Sequence, residues 1–104
     1  SQINEEKALS LLGLCRRAGR LQLGHDPVAE SMRLGKAVLV LLASDLSQNS
    51  ARGTLRLAEE MNTPVIKLQA TMDSLGHAVG RRTGIVAVED SGFANKLKTL
   101  CADR

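Results

Sequence analysis

The sequence predicts an α/β fold, a three-layer α/β/α sandwich in which five helices alternate with the strands of a four-stranded mixed sheet. The apolar run Val38 to Ala43 shows no alternation, which is typical of a strand buried on both faces. Short apolar segments alternate with segments of helical periodicity, as in strands joined by crossover helices. Since 104 residues, 43% of them hydrophobic, suffice for one core, residues 1–104 are predicted to form a single domain.

The first two elements are a helix and a short strand. Asn4 is a suitable N-cap, and apolar residues recur at helical spacing until Gly19 ends the helix. The segment Leu21–Leu23 is the strand, and Gly24 stops it. Cys15 falls on the apolar stripe of the helix, so we expect a reduced thiol in the core.

The second helix is predicted to begin at the turn that follows this strand. His25 or Asp26 caps it, and Pro27 suits its first turn, where a missing N–H leaves no hydrogen bond unmade. Gly35 ends the helix, and Leu34 is expected to face inward just before that end. The buried strand of the apolar run follows.

The third helix is predicted from Ser47 to Met61. Its inner face is expected to hold Ala51, Leu55, Ala58 and Met61. The tripeptide Asn-Thr-Pro then breaks the helix, and Val65–Leu68 is predicted as the next strand.

The last three elements follow the same alternation. Thr71 caps a short fourth helix that ends at Gly80, and Ile85–Val88 is the fourth strand. Asp90 or Ser91 caps the last helix, which we expect to turn its apolar residues toward the sheet.

Composition narrows the classes of function. The net charge of +3 and the isoelectric point of about 9.2 fit a polyanionic partner without requiring one. One Phe and no Tyr or Trp argue against a single-strand binder that stacks bases on aromatic side chains. No apolar run approaches the ~20 residues that span a bilayer, and the N-terminus lacks a signal-peptide pattern. We therefore expect a cytoplasmic protein.

Catalytic and cofactor-binding motifs are not found in the sequence. It contains neither the G-x-G-x-x-G pattern after a strand nor the P-loop pattern, so no nucleotide cofactor is predicted. His25 beside Asp26 resembles a general-base pair, but no nucleophile is poised for it. His77 has no second ligand at metal-binding spacing. The residues alone thus predict a small, mildly basic α/β domain that is not an enzyme.

Polar residues begin where the buried strand ends, and this is the first place to look for a site. In open α/β sheets, ligands bind just beyond the carboxyl ends of strands. The residues concerned are Ser44, Asp45, Ser47 and Asn49. Asp45 equally fits a role in helix capping, as does Asp73.

Four segments in order, 11–24, 33–50, 62–80 and 84–97, together resemble the ribosomal protein L7Ae/L30e superfamily, which binds kink-turn RNA. The chain most resembles the small bacterial YlxQ-like branch. The resemblance implies the three-layer α/β/α fold and RNA binding without catalysis. It also implies structured RNA, such as a kink-turn or ribosomal RNA, and the ribosome as partners.

The resemblance also implies a site. In this superfamily the turn and helix after the first strand bind RNA, and the loop between the third strand and the fourth helix covers them. The candidate RNA-binding residues are therefore Gly24, His25, Asp26, Gln69 and Ala70, with Lys36 and Arg17 or Arg20 as phosphate contacts.

Three positions of the turn depart from the superfamily pattern of Gly, a small residue, Asn, Glu, two variable residues and Lys. Asp26 replaces the Asn, Pro27 replaces the Glu, and Glu30 replaces the Lys, whereas Gly24 matches. The two acids would repel phosphates. A second interpretation therefore remains open, that of a protein-interaction module on the same fold that has lost kink-turn recognition.

Overall fold

The computed structural model of the chain describes residues 2–102 and confirms the predicted α/β class, with helices and strands in alternating order. The helices are α1 (Gln2–Arg17), α2 (His25–Arg33), α3 (Gln48–Glu60), α4 (Met72–Val79) and α5 (Ser91–Ala102). The strands are β1 (Leu21–Leu23), β2 (Leu39–Leu42), β3 (Val65–Lys67) and β4 (Ile85–Val88).

The four strands form one mixed sheet in the order β1-β4-β2-β3. β2 and β3 are parallel, and β4 runs antiparallel to both of its neighbours, β1 and β2. Consequently β1, β2 and β3 all end at the edge of the sheet where β4 begins. We call this the carboxyl edge, and the other the opposite edge. Backbone hydrogen bonds continue beyond the strands here, from the Gly24 N–H to the Ile85 carbonyl and from the Ala43 N–H to the Gly84 carbonyl, both 2.9 Å.

The core has two parts, one on each face of the sheet. Leu39 and Leu41 of β2 pack in the larger part with residues of α1, α4 and α5, whereas Val40 and Leu42 pack in the smaller part with residues of α2 and α3. All four side chains of β2 are buried. The apolar run therefore shows no alternation because neither face of this strand meets water.

The first turns of α1 and α2 differ from the prediction. Asn4 is not an N-cap: α1 includes Gln2, and nothing in this segment breaks a helix before Asn4. Neither His25 nor Asp26 caps α2, because Gly24 is the N-cap. By contrast, Thr71 accepts a hydrogen bond from the Ser74 N–H and caps α4 as predicted.

The inner face of α3 is narrower than predicted. Ala51 and Ala58 are buried, but Leu55 is 44% and Met61 40% exposed. Thr54 takes an inward position in their place, at 6% exposure. Leu34 is likewise 61% exposed, because it follows the last residue of α2 and no longer shares the buried face of that helix.

Cys15 is a buried free thiol, as predicted. Its Sγ donates a hydrogen bond to the Arg20 carbonyl at 3.2 Å. Burial raises the pKa of this thiol from 9.0 to about 11, and the nearby carboxylates of Asp90 and Glu89 act in the same direction. The thiol therefore stays protonated and unreactive at neutral pH.

Two helical glycines differ in the space around them: Gly76 is closely packed and Gly53 is open to solvent. Alanine substitutions at these two positions are therefore expected to change stability in opposite directions. A Cβ on Gly76 would lie 2.5 Å from the Arg82 Cα and 2.8 Å from its N, whereas a Cβ on Gly53 would meet nothing within 4 Å. We expect Gly76→Ala to lower the free energy of unfolding by about 1–3 kcal/mol, because backbone must move. Gly53→Ala should raise it by roughly 0.5–1 kcal/mol through helix propensity.

Urea denaturation of both variants checks this pair. Equal effects of the two substitutions, in either direction, would show that the close approach of α4 to the following segment does not constrain position 76.

Candidate nucleic-acid interface

The turn after β1 combines an unusual backbone with an exposed helix start. Gly24 has φ 91° and ψ 170°, a conformation that side chains other than glycine rarely adopt. Its carbonyl accepts the Val28 N–H at 3.1 Å, but no side chain caps the first turn of α2. His25 and Asp26 are exposed there. At the carboxyl edge, the N–H groups of His25 and Asp26 therefore have no acceptor within α2, and Pro27 has no N–H.

The segment beside this turn is the connection between α4 and β4, residues 80–84. The Arg81 Nη2 donates a hydrogen bond to the Leu23 carbonyl at 3.4 Å and lies 4.0 Å from where a Gly24 Cβ would be. The expectation that the loop between β3 and α4 covers the turn is therefore wrong. That loop lies at the same edge, but β4 and β2 separate β3 from β1, a distance of about 14 Å across the sheet.

Gln69 and Ala70 belong to that more distant loop, and α1 holds them in place. Their N–H groups donate to Glu5 Oε1 at 2.7 and 2.9 Å. The Ala70 carbonyl accepts the Ser44 N–H at 2.8 Å. Gln69 is exposed and Ala70 is buried, so only the first of them offers its side chain to a ligand.

The polar residues after β2 have structural partners. Asp45 Oδ1 accepts the Met72 N–H at 2.8 Å and so caps α4 from a segment far away in the sequence. Ser47 Oγ accepts the Ser50 N–H at 3.1 Å and caps α3. Asp45 thus joins the loop after β2 to the start of α4, whereas Ser47 stabilises the first turn of its own helix.

The three predicted basic contacts lie in two different places. Arg20 and Lys36 precede β1 and β2, so they lie at the opposite edge, a strand length of about 10 Å from the Gly24 turn. Arg17, in contrast, lies near α4: its Nη1 is 3.6 Å from the Cβ position of Gly13, which itself is 2.7 Å from the Ala78 carbonyl oxygen.

Further basic residues that the prediction did not include stand beside Arg17. Arg16 donates a hydrogen bond to the Val79 carbonyl, and Arg82 pairs with Asp73 at 2.6 Å. We call the exposed group made of Arg16, Arg17, His77, Arg81 and Arg82 the arginine face. The consecutive arginines after Gly80 are visible in the sequence, but their position beside the end of α1 arises only from packing.

An acidic cavity of about 470 Å³ lies on the other side of the Gly24 turn, along α2. Asp26, Glu30 and Glu89 line it together with Lys36. The Glu89 carboxylate accepts hydrogen bonds from Ser31 Oγ at 2.7 Å and from Gln22 Nε2 at 3.3 Å.

Metal binding and membrane crossing were also considered for the part of the chain that the structure describes. Over residues 2–102, no three His, Cys, Asp or Glu side chains are grouped so as to hold a metal ion. None of the helices within that range has the length and apolarity needed to cross a membrane.

A mixed sheet between helix layers, with a glycine turn and arginines at one edge, defines a small α/β binding domain. Comparison with protein-family models identifies the family of this domain. The model of the ribosomal protein L7Ae/L30e/S12e/Gadd45 family matches residues 6–98, and the chain belongs to this family. The resemblance seen in the sequence is thereby confirmed.

Curated relatives and solved structures agree with this assignment. The chain is 38% identical to RNA-binding protein YlxQ of Bacillus subtilis over 86% of this chain and 90% of that protein. It is 32% identical to large ribosomal subunit protein eL30 of Eremothecium gossypii, with 93% and 94% covered. A protein of unknown function from Bacillus halodurans superposes with a TM-score of 0.86 at 33% identity, covering 92% of this chain and 97% of that one.

A more distant solved structure shows the fold alone. The 15.5 kD RNA-binding protein of Giardia lamblia has a TM-score of 0.81 at 16% identity, covering 99% of this chain and 88% of that one. The layered arrangement is thus retained at low sequence identity.

Proposed function

We propose that this protein is a non-catalytic, cytoplasmic RNA-binding protein that associates with the ribosome and recognises kinked RNA at the Gly24 turn. The observation that carries the proposal is the turn itself, where the N-cap of α2 is a glycine, no side chain bonds to the first N–H groups, and an arginine lies alongside. The names of the relatives, an RNA-binding protein and a ribosomal subunit protein, support the same class of ligand.

The turn offers the contacts that a kinked RNA needs. Gly24 lacks a Cβ, so a sugar or a base edge approaches the backbone closely. The N–H groups of His25 and Asp26, at the start of α2, suit phosphate oxygens. Asp26 accepts a hydrogen bond from the amino group of guanine or cytosine, and His25 stands next to it. Arg17, near the last turn of α4, supplies a phosphate contact.

The other predicted contacts require an RNA that covers more of the protein surface than the Gly24 turn. Gln69 and Ala70 meet the RNA only where it continues along the carboxyl edge past β4 and β2. Arg20 meets it only where it reaches the opposite edge, and Lys36 only where it follows the cavity along α2.

Equilibrium binding to a standard kink-turn RNA tests the proposal, with a straight duplex of equal length as control, near physiological salt. We expect the kink-turn to bind at least about tenfold more tightly than the duplex, a difference of about 1.4 kcal/mol. Equal, weak binding to both RNAs would leave only nonspecific charge attraction and would contradict the proposal.

The acidic cavity supports a second candidate, a protein-interaction module. Three carboxylates line this cavity along α2, from Asp26 at the Gly24 turn to Glu89 at the opposite edge, and they repel phosphates and fit a basic peptide segment. Under this hypothesis the kink-turn and the duplex bind equally weakly, so the same experiment separates the two functions.

A further inference from the structure

The surface between α1 and α5 forms an open apolar groove of about 720 Å³, which we call the α1–α5 groove. It lies on the face of the sheet opposite to α2 and α3. Ile3 and Leu14 line it at 65% and 50% exposure, and Leu11 and Leu100 line it where the two helices meet. Large apolar side chains left exposed in one groove are typical of an interaction site.

The two helices that form the groove run antiparallel. α1 begins at the carboxyl edge, where Glu5 binds the loop after β3, and it ends at the opposite edge, before β1. α5 begins after β4 at the opposite edge and runs back. From Ile3 to Leu14, α1 rises about 16 Å. The groove therefore has the length of about three turns of a further helix, which packs between α1 and α5.

The charges inside the groove are positive. Lys7 of α1 and Lys96 of α5 line it, one on each wall. Glu6 lines it too, but it also lines a cavity on the other side of α1, so it lies on the crest of that helix between the two. The remaining polar residues of the lining are uncharged: Ser10, Asn95 and Thr99. An apolar stripe with carboxylates on both flanks therefore complements the groove.

Two other kinds of occupant fit this groove less well. A second copy of the chain, packed face to face, brings the lysines of both copies together at one interface, and like charges there are unfavourable. A small molecule stays largely in water, because the side chains of Ile3 and Leu14 are themselves at least half exposed, whereas ligand pockets bury most of a ligand. A helix covers the length of the groove and keeps its acidic side chains hydrated at the rim.

We propose that the α1–α5 groove binds an amphipathic helix of another protein. This helix carries apolar residues at every third or fourth position, which contact Ile3, Leu14 and Leu100, and acidic residues on both flanks, which pair with Lys7 and Lys96. The proposal does not depend on RNA binding, because the groove shares no residue with the candidate RNA contacts or with the arginine face. RNA and the helix therefore bind to different surfaces of the same protein.

Fluorescence anisotropy with two labelled synthetic peptides of about 18 residues tests the proposal. Both peptides carry leucine at every third or fourth position, and the flanks hold glutamates in one and lysines in the other. We expect the acidic peptide to bind at least about tenfold more tightly, and Lys7→Glu with Lys96→Glu to reverse the preference. Arg52→Glu with Arg56→Glu, at exposed positions of α3, changes the net charge equally and should leave the acidic peptide preferred.

A second pair of variants tests the apolar part of the groove. Leu14→Ser should weaken binding of the acidic peptide at least about fivefold, because a leucine contact is lost. Leu34→Ser, at a comparably exposed position at the end of α2, should leave that affinity unchanged. Thermal unfolding of both variants checks that they are folded.

Four results would contradict the proposal. They are binding of neither peptide, equal binding of both, a preference that the lysine pair does not alter, and wild-type affinity in the Leu14→Ser protein. Sedimentation equilibrium of the protein alone tests the remaining occupant. Self-association that Leu14→Ser abolishes would show that a second copy fills the groove, and would overturn the assignment to a helix of another protein.

Discussion

Replacing Glu5 by alanine is expected to lower the free energy of unfolding by about 2–4 kcal/mol. This carboxylate is 8% exposed and its Oε1 accepts the N–H groups of Gln69 and Ala70. Hydrogen bonds to charged groups contribute about 1.5–3 kcal/mol each, and removing the acceptor leaves the Ala70 N–H buried without it. The loss is large because one side chain connects α1 with the loop after β3.

Two further substitutions isolate the cause. Glu5→Gln keeps an acceptor oxygen in place and should keep at least half of the stability that Glu5→Ala loses. Glu6→Ala, at an exposed neighbouring position, should change the free energy of unfolding little. Urea denaturation gives the free energies, and amide exchange at Ala70 reports the loop directly. A Glu5→Ala protein as stable as Glu6→Ala would show that the two hydrogen bonds are dispensable.

A triple change in α2 is expected to raise affinity for kink-turn RNA by about tenfold to a hundredfold. The changes are Asp26→Asn, Pro27→Glu and Glu30→Lys, which restore the superfamily pattern. Asn both donates to and accepts from a base edge, a discrimination worth about 1–3 kcal/mol, and a lysine at position 30 attracts phosphate where Glu30 repels it. Equilibrium binding of wild type and variant to the same kink-turn RNA measures the gain.

The control for this gain is a charge change away from the turn. Glu60→Lys on α3 shifts the net charge as the Glu30→Lys step does, at an exposed position. It should raise the affinities for kink-turn and duplex equally and only slightly. If the triple variant binds no better than wild type, the α4–β4 connection or the backbone of the turn limits binding instead.

The order and type of the elements were predictable from the sequence because their causes are local. The unbroken apolar run identified β2, and side chains such as that of Thr71 identified a helix start. The N-cap of α2 was missed by one or two residues for a physical reason. Gly24 has no side chain that can cap, so His25 and Asp26 were considered, whereas the cap position was set by the φ of the glycine.

The site was predictable only in part. Gly24 and its neighbours follow directly from the end of β1, and the resemblance pointed to them. Arg20 and Lys36 are close to the turn in sequence yet lie at the opposite edge, because a strand or a helix carries the chain across the sheet in between. Arg81 is distant in sequence but adjacent in space, because β4 inserts beside β1. The placement of the acidic cavity and the arginine face on the two sides of the Gly24 turn thus arises from tertiary structure.

The insertion of β4 between β1 and β2 also sets the order in which the chain folds during synthesis. Within residues 2–102, β1 pairs with β4 alone, and residue 21 lies opposite residue 88. During translation, β1 thus stays unpaired until nearly the whole segment has emerged from the ribosome. Such long-range pairing slows folding. A nascent chain that stops before residue 85 exposes an unpaired side of β2, a strand edge prone to aggregation.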